Sequence, residues 1–260
     1  MRQSQLTRWF RDERPRRESA RRPPPAPQRA VAAFADGAAL GPWVARGFLP
    51  VVQVQVQVQG ASARARASAD EAQHTGAAVA ALLAAHAGDV AIALAFPACT
   101  DLSAAGARWW RAKRKRNPDF QREAVARIQG VEAALRASGA PFAMLVPAAP
   151  LLKRLWRDPS AVISPHEYGG WLAADAAHPL HADVVPKRDA YVKRTYVYAG
   201  NGFVLPRRKP VPPVWATRTT KRGATRRVSP LLVKRRHRHL RRLAPLGFLE
   251  AVASLHAERR

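Results

Sequence analysis

Cys99 is the only cysteine among the 260 residues. It follows an apolar run, Val90-Ala-Ile-Ala-Leu94, and leads into a stretch that turns basic from Arg111 to Arg116. A thiol in a loop after a buried strand, beside a helix N-terminus and close to cations, has its thiolate favoured. Such a thiolate attacks carbon electrophiles. The same spacing suits a small buried hydrophobe with no chemical role, and the residues around Cys99 leave both readings open. Other chemistry is less well supplied. Ser103 and Ser164 have no His and Asp pattern around them for a hydrolase triad. His166, His178 and His181 lack carboxylates or cysteines at metal-ligand spacing, so no metal site is expected. Trp109 and Trp110 have faces on which a base can stack, although aromatic residues at a helix start commonly pack on a core.

The elements that must position Cys99 alternate between short apolar strands and helices. Val31 to Ala35 reads as a strand, Asp36-Gly37 as a turn, and Ala38 to Gly47 as a helix closed by glycine. Val51 to Val58 is strand-like, Asp70 to Ala85 helical, and Val90 to Ala95 the central strand. Pro118 to Ser138 is an amphipathic helix that carries Phe120, Val125, Ile128, Val131 and Leu135 on one face and stops at Gly139. Phe142 to Val146 is a further buried strand, and the chain from Asp183 to Pro206 becomes strand-like again. This alternation predicts an α/β fold built on a parallel sheet. Ligands of such sheets lie beyond the carboxyl ends of the strands. Asp36-Gly37, Phe96 to Cys99 and the residues after Val146 all fall at such ends, which points to one shared site. Gly37 and Gly41 would let backbone approach a ligand closely, or simply make a turn. The run Val51-Val-Gln-Val-Gln-Val-Gln-Val-Gln59 alternates strictly, so its strand is expected at an edge or with one exposed face.

Charge divides the chain differently. The formal net charge is +26. Residues 1–29 carry nine Arg against three acids, and residues 207–242 carry 14 Lys and Arg with no acid. The first of these segments is rich in Arg and Pro and is expected to be disordered. The second is expected to be flexible. Both would attract a polyphosphate by counterion release; a compositional bias towards Arg and Ala would give the same charges without a partner. With 47% hydrophobic residues the chain can bury a sizeable core. No apolar run approaches the length of a membrane span, and the basic N-terminus lacks the apolar core of an export signal. One cysteine excludes an intrachain disulfide and a multi-cysteine zinc site, and a reducing compartment suits it best.

The stretch Phe96-Pro-Ala-Cys-Thr-Asp-Leu-Ser-Ala-Ala-Gly-Ala-Arg-Trp-Trp110 resembles the segment around the catalytic cysteine of phage and prophage proteins of the DNA cytosine-5 methyltransferase type. Asp36-Gly-Ala-Ala-Leu-Gly-Pro-Trp-Val-Ala-Arg-Gly-Phe48 is similar to the family's cofactor loop and first helix. Leu155-Trp-Arg-Asp-Pro159 and Ser164-Pro-His-Glu-Tyr-Gly-Gly-Trp-Leu172 resemble its middle section. Arg188-Asp-Ala-Tyr-Val-Lys-Arg-Thr195 and Gly200-Asn-Gly-Phe-Val-Leu-Pro206 resemble its end, and Ala244-Pro-Leu-Gly-Phe-Leu-Glu-Ala-Val252 its C-terminal helix.

The resemblance implies a Rossmann-like α/β domain of the S-adenosylmethionine-dependent methyltransferase type over residues 30–206, the basic segment 207–242 and a C-terminal helix in 243–260. It implies Cys99 as nucleophile. Asp36, Gly37, Gly41, Phe96 and Pro97 would bind S-adenosylmethionine. Arg108, Lys193 and Arg194, with Lys234, Arg235 and Arg236 of the basic segment, would contact DNA. The setting implied is the cytoplasm of a bacterial host, near its nucleoid, with no membrane partner. The target base would have to be flipped or single-stranded.

Three positions depart from the family. Val146-Pro147-Ala148 stands where the family has Glu-Asn-Pro, and no Asp or Glu lies between Glu132 and Asp158. Ala98 replaces the proline before the cysteine, and glutamines follow the second strand where an acid would bind the cofactor ribose. Asp101 and Glu167 are candidates for the missing acid's role. The sequence therefore carries two expectations: a cytosine-5 methyltransferase of reduced activity, or an inactive methyltransferase-like protein that binds nucleic acid through its basic tails.

Overall fold

The computed structural model describes residues 29–33, 42, 45–46, 49–53, 76–104, 106–219, 223–233, 240–241 and 243–257. Strands β1 (Arg29–Ala33), β2 (Leu49–Gln53), β3 (Val90–Ala95), β4 (Phe142–Pro147), β5 (Ala161–Ile163) and β6 (Thr195–Gly200) form one six-stranded sheet in the order β2-β1-β3-β4-β6-β5. Helices α1 (Gly76–Ala84), α2 (Trp110–Arg116), α3 (Phe120–Ala137), α4 (Pro150–Leu155) and α5 (Leu246–Ala257) connect and cover it. A separate antiparallel hairpin, β7 (Ala216–Thr219) and β8 (Thr225–Val228), lies in the basic segment. The protein is thus mixed α/β.

The sheet is mixed rather than wholly parallel, which corrects the expectation. β1 pairs in parallel with β2 and β3, and β3 with β4, whereas β6 runs antiparallel to both β4 and β5. The reason lies in the connections. A parallel strand requires a crossover that carries the chain back to the starting edge. After β5 the chain makes 3₁₀ turns at Pro165–Trp171 and Lys187–Asp189 and re-enters the sheet without a crossover helix, so it runs in reverse. β2 stands at the end of the strand order, one of the two placements its alternating sequence allows; Val54 to Val58 lie outside the described residues.

Side-chain alternation along the inner strands feeds two cores. Ala93, Ala95, Phe142, Met144 and Val146 join Val79 and Leu83 of α1 and Val125, Ile128, Val131 and Leu135 of α3. Ile92, Leu94, Ala143, Leu145 and Val197 join Phe248, Leu249 and Val252 of α5 on the other face. Both faces are covered, which is why β3 and β4 read as continuous apolar runs.

The predicted apolar face of the long helix is buried as expected, together with Ala124 and Glu132. Gly139 ends it at φ +72°, a backbone conformation that side-chain-bearing residues rarely adopt. The C-terminal helix belongs to the body of the fold. Asp189 Oδ2 accepts a 3.0 Å hydrogen bond from the Gly247 N–H in the first turn of α5, and Tyr168 meets Phe248 edge to face with ring centroids 5.1 Å apart. The segment 207–242, expected to be flexible, contains the β7–β8 hairpin and buries Val211 and Leu231. Among the described residues no helix is long and apolar enough to cross a membrane.

Candidate functional site

The site is built at the carboxyl end of β3. From there the chain runs through Phe96-Pro97-Ala98 into a tight turn at Cys99, whose carbonyl accepts 2.9 Å bonds from the N–H groups of Leu102 and Ser103. Leu102 is buried and anchors the turn in the core of α1 and α3. The Gly106 N–H closes a following turn onto the Ser103 carbonyl at 3.0 Å, and a Cβ at Gly106 would overlap the Thr100 carbonyl oxygen, so only glycine fits. The helical stretch begins at the 3₁₀ turn Ala107–Trp109 and continues as α2. The expected helix N-terminus beside Cys99 is therefore corrected: the thiol is separated from α2 by a series of turns, because Gly106 and its tight packing delay the helix.

Cys99 is 8% exposed and lines a cleft of about 750 Å³. Its walls come from five parts of the chain. Thr100, Ser103, Arg108 and Trp109 belong to the turn and the 3₁₀ start of α2, and Pro147 and Ala148 to the end of β4. Lys193 and Arg194 precede β6. Arg218, Val228, Ser229 and Leu231 come from the hairpin and its exit, and Arg241 from beyond it. The reversed direction of β6 is what brings Lys193 and Arg194 here. An antiparallel strand begins where its neighbour ends, and the Ala148 N–H donates to the Arg194 carbonyl at 2.9 Å.

The cleft thus assembles Cys99, Arg108, Lys193 and Arg194 from distant parts of the sequence. Phe96 and Pro97 do not line it; Phe96 packs against both cores and Pro97 is buried at the end of β3. Asp36, Gly37, Gly41, Lys234, Arg235 and Arg236 lie outside the described residues. Arg218, Ser229 and Arg241 were not singled out by the sequence. Their signal was only the acid-free run of charge, which does not say which cations fold back onto Cys99.

Electrostatically the cleft is one-sided. Arg108, Lys193, Arg194, Arg218 and Arg241 line it, and among the described residues no Asp or Glu does. Burial, together with the neighbouring Arg218 and Arg108 guanidiniums, pushes the Arg241 pKa down. Lys193 Nζ donates to the Leu243 carbonyl at 2.8 Å, and the Arg108 guanidinium lies 4.7 Å from the centre of the Trp109 ring. Trp109 is 53% exposed. Ser229 is 5% exposed, yet its hydroxyl has no hydrogen-bond partner, and neither has the buried Nε of Arg241.

The two carboxylates considered for the missing acid are engaged elsewhere. Asp101 pairs with Lys113 at 2.6 Å and Arg127 at 3.7 Å. Glu167 accepts the Ser164 N–H at 2.7 Å and pairs with Arg208 at 3.3 Å. At the end of β4, where the family's acid would stand, the cleft wall is Pro147 and Ala148. Among the described residues no group of three His, Cys, Asp or Glu side chains gathers to hold a metal ion.

A second feature lies at the carboxyl ends of β1 and β3. The chain places β2 on one side of β1 and then β3 on the other, so the strand order reverses between β1 and β3. Crevices at such switch points are where open α/β sheets bind nucleotide-like ligands. Compared with protein families, with curated proteins and with solved structures, the chain matches none.

Proposed function

We propose that this protein acts on cytosine in DNA as an S-adenosylmethionine-dependent methyltransferase of the cytosine-5 type. The observation that carries the proposal is the position of Cys99, at the carboxyl end of a central parallel strand in a cleft whose charged lining, among the described residues, is cationic. Cations around a thiol favour its thiolate. They also draw in a phosphodiester strand, and the cleft volume accepts a flipped or single-stranded nucleotide beside Trp109.

In the reaction proposed, the Cys99 thiolate would bond to C6 of the ring and push electron density to C5, which would take up the methyl group. Water entering the cleft would then accept the C5 proton as the bond from sulfur to C6 breaks and the thiolate leaves, which restores the ring. S-adenosylmethionine, when bound, supplies the methyl group. The switch point between β1 and β3 fits a nucleotide-type cofactor by its topology. Asp36, Gly37 and Gly41 after β1, with Phe96 and Pro97 at the end of β3, would hold it there. The Arg194 carbonyl accepts a backbone hydrogen bond from Ala148, beside the missing acid's position, and Arg194 lines the same cleft. Positive charge there would stabilise the negative charge that develops on the ring.

Among the described residues no carboxylate lines the cleft, which favours a second reading, in which the protein binds nucleic acid without modifying it. Two measurements separate them: transfer of label from S-adenosylmethionine to cytosine-containing DNA, and covalent trapping on DNA carrying 5-fluorocytosine. Trapping by the natural protein and not by Cys99→Ser supports the first reading. Binding without trapping or transfer supports the second.

A further inference from the structure

The charged side chains that the C-terminal segment contributes to the lining, Arg218 and Arg241, can only donate, and the Ser229 hydroxyl can donate as well. Arg218 lies on β7, Ser229 follows β8 directly, and Arg241 comes from beyond the hairpin. Arg218 stands directly across from Arg226 in the hairpin register, an arrangement of like charges that costs stability. Arg108 approaches from α2's 3₁₀ start, and both Arg218 and Arg108 act on Arg241. Among the described residues the lining holds no carboxylate to offset these charges. The Ser229 hydroxyl is 5% exposed and the Arg241 Nε is buried, and neither has a partner. Buried donors without acceptors are destabilising unless a ligand supplies the acceptor.

A ligand that engages all of them is anionic and rich in acceptor oxygens, as a phosphate is. A cleft of about 750 Å³ exceeds the needs of a lone phosphate, and its remaining wall includes Trp109, Val228, Leu231 and Cys99, suited to a base.

We infer that Arg108, Arg218, Arg241 and Ser229 form a phosphate-binding site in the Cys99 cleft, and that the phosphate is a backbone phosphodiester of a single nucleic-acid strand. The inference rests on the reading that nucleic acid enters this cleft, and not on methyl transfer.

The test uses the full chain and a labelled single-stranded deoxyoligonucleotide with one central cytosine, followed by fluorescence anisotropy. A neutral methylphosphonate is moved through the linkages one at a time. For the natural protein, one linkage near the cytosine is expected to weaken binding about 10-fold when neutralised, as loss of one charge-assisted phosphate contact implies. Arg218→Ala and Ser229→Ala should each bind the unmodified strand more weakly and lose most of the sensitivity to that linkage. Arg218 is exposed and Ser229→Ala removes one oxygen, so both variants should keep the natural circular dichroism spectrum. Arg241→Lys, which keeps charge but not the fork, should fall between.

Inorganic phosphate and cytidine monophosphate serve as competitors. Both should displace the strand only at far higher concentration than an unlabelled strand does. Competition by either at the strand's own concentration would overturn the nucleic-acid source. No linkage standing out, unchanged linkage dependence in Arg218→Ala and Ser229→Ala, or no binding by the natural protein would each overturn the site. Linkage dependence retained without 5-fluorocytosine trapping would defeat the methyltransferase reading alone, and trapping without linkage dependence would defeat the phosphate site alone.

Discussion

Two groups of arginines in this protein face opposite electrostatic situations. Arg136 and Arg157 converge on Glu132, which is 7% exposed, with Nη2 to Oε1 distances of 2.7 and 2.5 Å. Arg157 also lies over the rings of Trp156 and Tyr198, at 4.7 and 4.8 Å from their centres, and those two rings stack at 4.7 Å. Both guanidiniums there find the same carboxylate within the fold. Arg108, Arg218 and Arg241 line a cleft with no carboxylate among the described residues of its lining. The first group ties α3 to the residues after α4 and serves the fold. The second costs the fold energy that a bound anion would return. Pairing within the chain, rather than the number of arginines, separates structural cations from those available to a ligand.

The largest test of this contrast is chemical. Cys99→Ser should abolish covalent trapping on 5-fluorocytosine DNA while leaving DNA affinity within about 2-fold, because the phosphate-binding cations are untouched. Denaturing gel electrophoresis reads the first and anisotropy the second. Equal trapping by the variant would show that Cys99 is not the nucleophile.

Next in size is the paired group. Glu132→Gln strands two arginines beside a neutral amide, and urea unfolding should show a loss of about 2–3 kcal/mol, with the affinity of the folded protein for DNA unchanged. A loss of DNA affinity at full folding would break the division between the two groups.

The cleft arginines should behave in the opposite way. Arg218→Ala should weaken DNA binding by about 1 kcal/mol and lower the steepness of its salt dependence by about one phosphate contact. Its urea midpoint should stay the same or rise, since a like-charge pair with Arg226 is relieved. A stability loss comparable to that of Glu132→Gln would place Arg218 among the structural cations.

The smallest effect lies beside the paired group. Burial pushes the Tyr198 hydroxyl pKa up to about 12. The unfolded chain, with a tyrosine near pH 10, releases that proton first, so stability is full below about pH 10 and falls as pH rises towards 12. The loss should reach about 1 kcal/mol near pH 10.5, and Tyr198→Phe should flatten that part of the curve. An unaltered alkaline limb in the variant would assign the effect to another group.

Much of the fold was legible because its signals are local. β3 begins and ends where the apolar run Val90 to Ala95 does, and α3 buries the face that its 3.6-residue periodicity marks. The strict Val-Gln alternation called for an edge position or one exposed face, and β2 stands at the end of the strand order. The reversal of β6 was not legible. Parallel and antiparallel buried strands carry the same apolar composition, and the choice depends on the route of the connection before them. Cys99 and the cations Arg108, Lys193 and Arg194 could be named from the sequence, whereas Arg218, Ser229 and Arg241 could not. A charge run announces an affinity for anions without saying which members will share a cleft.

The sequence by itself therefore determined the alternating α/β elements, the two-sided burial of the inner strands, the single thiol at a strand end and the acid-free basic segment. These follow from periodicity, composition and count, which need no knowledge of contacts at long range. The tertiary structure alone decided that β6 runs backwards, that the hairpin and the thiol line one cleft, and that Arg157 reaches Glu132 while three other arginines are left facing that cleft. Each of these depends on chain segments 25 or more residues apart meeting in space. Electrostatic pairing and steric closure are properties of that meeting, and no residue carries them in isolation.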